Sequence, residues 1–123
     1  MRVKAVRTRI FKEDEDLEAF ITKHVPRLKE GSILAVASKI VALAEGRVVP
    51  SGSKAQKEAL IRRESEWQSK VLPKWWLTVR DGTAVVNAGI DESNAEGKLI
   101  LLPKNSFESA QRLYSSLLQN YRI

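Results

Sequence analysis

Residues 87–94 carry the side-chain types that best suit a bound metal–nucleotide complex. They follow a predicted strand and read Asn-Ala-Gly-Ile-Asp-Glu-Ser-Asn. Gly89 allows the backbone to approach a ligand closely, and Asp91 offers a hard oxygen to a cation such as Mg²⁺. Ser93 and Asn94 add neutral hydrogen-bonding groups. The alternative is a polar turn in which Asp91 caps the backbone and Asn94 adopts a left-handed backbone conformation. From the spacing alone, the polar turn is the preferred interpretation.

A second candidate lies where a predicted buried strand gives way to a helix. Ser38 and Lys39 follow the apolar run at residues 33–37. Ligands often bind at the carboxyl ends of strands in α/β sheets, and helix N-termini attract phosphate. Lys39 would add a mobile positive charge. The alternative is a simple helix cap at Ser38 with Lys39 in solvent. The glycine-rich loop of a Walker P-loop is absent.

Three weaker candidates complete the set. Glu45 and Arg47 could form a local ion pair or contact a substrate, and the ion pair is preferred. His24 is the only histidine, so neither a histidine-based metal site nor a Ser-His triad is expected. Trp75 and Trp76 place one ring on each face of a predicted strand, where core packing or a dimer contact is preferred over base stacking.

The hydrophobic pattern predicts one α/β (mixed α+β) domain over residues 1–123. We expect a mixed sheet of about five or six strands with about four helices. The predicted strands are residues 3–7, 33–37, 47–49, 75–79, 83–86 and 98–102. The predicted helices are residues 14–26, 39–45 and 54–70, with a final helix after Asn105. Its apolar face is expected to pack on the sheet or on a partner.

Local motifs support several of these boundaries. Ser53 and Gln56 form a capping box at the start of the third helix. Asn105 and Glu108 form a similar pair before the last helix. The dipeptide at residues 81–82, Asp-Gly, indicates a type I′ hairpin turn.

The amino-acid composition limits the expected classes of binding partner and the expected cellular location. The net charge is +6 and the pI is about 9.8, which favours anionic partners, although scattered surface lysines are an equal explanation. The absence of cysteine excludes disulfides and thiolate metal sites. No apolar run approaches the ~20 residues of a membrane span, and no secretory signal follows the basic start. A cytoplasmic location without membrane attachment is therefore expected.

The order of these motifs resembles the coenzyme F420 gamma-glutamyl ligases (coenzyme F420-0:L-glutamate ligases). The resemblance depends on residues 38–41 (Ser-Lys-Ile-Val), 44–47 (Ala-Glu-Gly-Arg), 87–94 and 99–103. It covers nearly all of this chain, but only about the N-terminal half of a usual family member.

The resemblance implies a gamma-glutamyl-ligase-like fold that forms an intertwined homodimer. It implies a GTP-dependent enzyme that uses Mg²⁺ or Mn²⁺ to join L-glutamate to a coenzyme F420 precursor or a related carboxylate. Carried over by position, Asp91 corresponds to a metal ligand, and Ser38, Lys39 and Asn94 correspond to nucleotide contacts. No catalytic residue is assigned. The family's later Asp-Thr metal-binding segment has no counterpart, so the isolated chain is expected to be incomplete and a second polypeptide to supply the other half.

Two other functions remain open at the level of sequence. One is a non-catalytic nucleotide-binding or dimerisation module of the same fold. The other is a basic nucleic-acid-binding domain, suggested by the net charge. The nucleic-acid hypothesis ranks last, because no nucleic-acid-binding motif is present.

Overall fold

The computed structural model describes residues 1–92 and 97–122, which contain four α-helices and five strands. The helices are α1 (Leu17–His24), α2 (Ser38–Ala44), α3 (Lys54–Arg63) and α4 (Ser106–Tyr121). The strands are β1 (Val48–Pro50), β2 (Trp67–Leu72), β3 (Trp75–Arg80), β4 (Thr83–Val86) and β5 (Lys98–Ile100). The predicted mixed α+β fold class is confirmed.

The strands divide between two antiparallel sheets rather than joining in one. The first sheet has the order β2-β3-β4, and the second pairs β1 with β5. Asp81 and Gly82 join β3 to β4 with φ angles of 51° and 69°, which confirms the predicted two-residue turn. The capping box of Ser53 and Gln56 is also confirmed, as is the cap that Asn105 provides to α4.

Two predicted strands are wrong. Residues 33–37 and 3–7 have no regular secondary structure. Ile33 is 89% exposed and Val3 is 81% exposed. An apolar composition can favour a strand, but a strand also needs a neighbouring segment that forms hydrogen bonds with its backbone groups. No described segment pairs with either of these two.

The third helix is shorter than predicted. It ends at Arg63, and β2 begins at Trp67 in place of further helical turns. Trp67 lies on β2 and is 52% exposed. The antiparallel pairing of β2 with β3 outweighs the weak helical pattern at residues 67–70.

Small apolar clusters form the core. Leu60 of α3 packs with Leu99 and Leu101, and Ile61 packs with Trp76 and Ala88. Ile90 contacts both clusters. Helix α3 therefore sits between the two sheets, with Ile90 at the point where they meet.

A buried ion network also joins the two sheets. Arg80 of β3 donates hydrogen bonds to the Glu64 and Pro103 carbonyls at 2.8 and 2.6 Å. Its guanidinium lies 3.3 Å from the Glu64 carboxylate, which also pairs with Arg47 at 2.5 Å. The Glu64 and Arg80 side chains are only 11% and 9% exposed. One carboxylate thus pairs with two guanidinium groups at the end of α3.

The turn Asn87–Gly89 carries the chain from the first sheet to the second. Asn87, Ala88 and Gly89 have φ angles of 51°, 53° and 72°. The Asn87 side chain accepts a hydrogen bond from the Trp76 amide at 2.8 Å, and the Ala88 amide donates to the Thr78 hydroxyl at 2.9 Å. These buried bonds to β3 hold a backbone conformation that most residues avoid.

Helix α4 is only partly covered. Leu117 is buried, whereas Tyr114 is 59% exposed and Phe107 is 74% exposed. The Tyr121 hydroxyl donates to the Val25 carbonyl at 2.5 Å, and burial raises the pKa of this tyrosine. None of the helices in the described ranges is long and apolar enough to span a membrane.

The buried ion network gives a stability prediction. Glu64→Gln removes the only charge in it that balances Arg47 and Arg80, so the free energy of unfolding should fall by about 3 kcal/mol. Glu58→Gln is the control, because Glu58 pairs with Lys70 at the surface and its loss should cost much less. Urea unfolding monitored by tryptophan fluorescence measures both. Equal changes would contradict a central role for the network.

The left-handed turn gives a second prediction. A Cβ at residue 89 would lie 2.5 Å from the Leu102 side chain, whereas a Cβ at Gly46, at a similar φ, would meet no atom within 4 Å. Gly46→Ala should cost about 1 kcal/mol of conformational strain. Gly89→Ala should cost about 1–3 kcal/mol more because of the clash. If urea unfolding gave equal costs for Gly89→Ala and Gly46→Ala, the Leu102 side chain would have moved aside without a cost in free energy, which would contradict the prediction.

Candidate functional site

The structure brings Lys39 and Asp91 together. The Lys39 ammonium lies 3.0 Å from a carboxylate oxygen of Asp91, and each side chain is 34% exposed. The sequence placed these two residues in separate motifs, as a nucleotide contact and a metal ligand. Their meeting joins the two strongest candidates into one site, which we call the Lys39–Asp91 junction.

Strand β5 positions both sides of the junction. Asp91 and Ile100 exchange two backbone hydrogen bonds, each 2.8 Å long. Ala42 of α2 packs against the same Ile100 in a buried cluster. The backbone on each side is therefore held by Ile100, while the charged ends of Lys39 and Asp91 remain open to solvent.

The other predicted nucleotide contacts differ in outcome. Ser38 is the first residue of α2 and is exposed, next to Lys39. Its predicted role as the helix cap is wrong, because Ala37 is the N-cap and makes no side-chain bond. Asn94, like Ser93, lies outside the described residues, so its predicted contact stays a prediction.

Gly89 has a structural function that the sequence did not indicate. It was expected to let backbone approach a ligand. Its close neighbour is the side chain of Leu102, and its φ of 72° belongs to the left-handed turn. The polar-turn interpretation, which concerned Asp91 and Asn94, is not tested by this finding. Residues 87–89 set the direction in which the chain reaches Asp91.

Glu45 and Arg47 take different partners. Glu45 lies 3.2 Å from Arg112 and accepts a hydrogen bond from the Ser109 hydroxyl. Arg47 belongs to the buried network with Glu64. The predicted local pair is wrong, because the turn after α2 sends the two side chains to different elements.

His24 and Trp76 have structural roles, whereas Trp75 lies on the exposed face of its strand. His24 Nδ1 lies 2.8 Å from the Phe20 carbonyl oxygen, and its ring packs against the Phe20 ring. Trp76 is buried beneath the Arg62 guanidinium, while Trp75 is 55% exposed. One ring on each face of the strand was the prediction, and it is confirmed.

One lysine near the junction was not singled out from the sequence. Lys57 of α3 lies 2.5 Å from the carboxylate of Glu92, the neighbour of Asp91. Both acidic residues of this segment therefore face lysines on different helices. Lys57 gave no local signal, because it is one of four basic residues on a charged helix.

Two carboxylates outside the junction have lowered pKa values. Arg9 donates a hydrogen bond that lowers the pKa of Glu15, and Lys70 does the same for Glu58. Both are surface ion pairs. Their lowered pKa values keep them ionised, which does not suit a general acid at neutral pH.

A divalent cation fits the junction only as part of a nucleotide complex. Within residues 1–92 and 97–122, no three histidine, aspartate or glutamate side chains come together as metal ligands. Asp91 supplies one hard oxygen. Mg²⁺ often takes one or two carboxylates and completes its shell with phosphate oxygens and water. The donor set thus suits a metal carried by phosphates, and not a cage made by this part of the chain alone.

Comparison with known proteins matches the sequence to one family. The sequence profile described as F420-0:Gamma-glutamyl ligase matches residues 5–123. A protein named "Coenzyme F420:L-glutamate ligase" from Archaeoglobus fulgidus is 32% identical over 127 residues, which cover 89% of this chain and 51% of that protein. The protein of the same name from Methanopyrus kandleri is 35% identical, over 80% of this chain and 46% of that protein.

A third relative of that name, from Halorubrum lacusprofundi, is 32% identical over 83% of this chain and 49% of its own length. The chain therefore spans about half the length of the curated relatives it matches. Because the family profile extends across almost all of the sequence, the chain belongs to the F420-0:gamma-glutamyl ligase family.

Proposed function

We propose that this chain forms the nucleotide- and metal-binding part of a GTP-dependent ligase that adds L-glutamate to a coenzyme F420 precursor or a related carboxylate. Membership of the ligase family and the names of the relatives support the reaction class. The observation that carries the proposal is the Lys39–Asp91 junction. It places a cation and an anion side by side, as a metal–phosphate ligand requires.

The ion pair is suited to opening when a nucleotide arrives. A pair that is one-third exposed contributes at most about 1 kcal/mol, because water screens it. The ammonium of Lys39 would move to a phosphate oxygen, and the carboxylate of Asp91 would turn to the cation. Lys39 would thus exchange one anionic partner for another, and Asp91 would exchange one cationic partner for another. The junction therefore binds the ligand without leaving either group unpaired.

Each residue then has a defined task. Lys39 holds a phosphate, Ser38 offers its hydroxyl beside it, and Asp91 holds Mg²⁺ or Mn²⁺. Asn94 completes the nucleotide contacts. The cation would supply positive charge that stabilises the transferred phosphoryl group. The remaining task of the protein is to position the acceptor carboxylate and the amine of glutamate.

Catalysis is proposed to require more polypeptide than this chain contains. The described residues offer one carboxylate at the junction, and the relatives are about twice as long. A second polypeptide, or the other half of a longer one, would complete the metal site, and the complete enzyme is expected to be a homodimer. A cytoplasmic location remains a prediction. The isolated chain is expected to bind the nucleotide without catalysing the ligation of glutamate.

Binding of GTP tests the proposal directly. Asp91→Asn should weaken Mn²⁺-dependent GTP binding by at least about tenfold, because it removes the charge that holds the cation. Isothermal titration calorimetry with the isolated chain, with and without Mn²⁺, measures this change. Glu92→Gln is the matched control. It removes the neighbouring charge, which faces Lys57 instead, and should change the affinity little.

Three results decide between the alternatives. Equal losses in both variants would indicate a general charge effect and contradict the site. Metal-independent binding unchanged by Asp91→Asn would contradict it as well. Normal Mn²⁺-dependent binding that never leads to glutamate incorporation, even with the other half of a relative present, would favour a non-catalytic nucleotide-binding module.

A further inference from the structure

The apolar run at residues 33–37 has the composition of a buried strand but not its surroundings. Its sequence is Ile-Leu-Ala-Val-Ala, without a polar residue. Ile33 is nevertheless 89% exposed, and Leu34 and Val36 are only half-buried. Among the described residues, no backbone group of residues 33–36 is hydrogen-bonded to another backbone group. Apolar composition of this kind is typical of strands covered on both faces.

The same segment forms one wall of an open apolar groove. The groove has a volume of about 890 Å³, and α4 forms the opposite wall. The apolar side chains that face each other across it are Ile33, Leu34 and Val36 on one side and Leu113, Tyr114 and Leu117 on the other. An exposed apolar surface of this kind is normally covered by another segment or protein.

The length of the relatives indicates what covers the groove. Each relative carries about as much polypeptide again as the part that matches this chain. A second copy of this chain fits the groove less well. A two-fold contact centred on the groove would set two concave surfaces against each other, and neither would fill the other. An inserted strand can fill it and can also pair with residues 33–36.

We propose that residues 33–37 and α4 form the docking site for the polypeptide that corresponds to the other half of the relatives. That polypeptide contributes an apolar strand, which pairs with the backbone of residues 33–36 and fills the groove. Ser38 also lines the groove, so docking would bring the other half next to the proposed nucleotide contacts. The inference rests on the proposed function only in assuming that further polypeptide is needed.

Amide hydrogen exchange tests the docking site. We would compare the isolated chain with a chimaera in which this chain replaces the matched half of the Archaeoglobus fulgidus relative. The amides of residues 33–36 should exchange on the order of 100-fold more slowly in the chimaera. Amides of Leu99 and Leu101, in the core, report whether the chain is folded in each sample. If the chimaera does not fold, the unmatched half added as a separate polypeptide decides the question.

A pair of surface variants separates docking from stability. Ile33→Asp should restore fast exchange in the chimaera and leave the melting of the isolated chain unchanged, because Ile33 is exposed. Ile10→Asp is the control, since Ile10 is 85% exposed and does not line the groove. It should leave the protection intact.

Two results would overturn the docking site. One is fast exchange of residues 33–36 while Leu99 and Leu101 stay protected, in the chimaera or with the added half. The other is slow exchange in the isolated chain, which would mean that a second copy or the chain itself covers the segment; its dependence on concentration separates those two cases. The assay contains no nucleotide or metal, so failure of docking is distinct from failure of the proposed GTP binding.

Discussion

The left-handed turn at Asn87–Gly89 is the constraint on which the rest of the structure depends. Three consecutive residues have positive φ angles, a conformation that costs free energy for any residue with a side chain. Buried hydrogen bonds from β3 hold it: the Asn87 side chain bonds to the Trp76 amide, and Thr78 bonds to the Ala88 amide. The turn then delivers Ile90 to two core clusters at once. Without it, the two sheets would be joined by α3 and the buried network around Glu64, but not by a continuous chain that enters both core clusters.

The candidate site follows from the same turn. Directly after Ile90, Asp91 pairs with Ile100 of β5, and α2 packs on that residue through Ala42. Two motifs far apart in sequence therefore meet at one strand. Strand pairing and core packing hold the backbone of the site. The charged ends of Lys39 and Asp91 are partly exposed to solvent. Under the proposed function, a metal–phosphate ligand would open this ion pair while the backbone of the site stays in place.

The sequence predicted the features that depend on local chemistry. Capping residues located the starts of α3 and α4, and Asp81-Gly82 located the hairpin. It failed where the outcome depends on a partner strand: residues 67–70 pair with β3 instead of extending a helix, and residues 33–37 find no strand to pair with among the described residues. The motif order singled out Lys39 and Asp91, but their contact could not be predicted, because it arises from the packing of α2 and the turn on β5.

Paramagnetic NMR with Mn²⁺–GTP tests the central claim, that metal and nucleotide bind at the Lys39–Asp91 junction. Mn²⁺ broadens the amide resonances of nearby residues, and Mg²⁺–GTP provides the diamagnetic reference. The account predicts that broadening is strongest at Ser38, Lys39 and Asp91, and that Asp91→Asn abolishes it. Strongest broadening elsewhere, for example around Glu45 and Arg112, or broadening that persists in Asp91→Asn, would contradict the account.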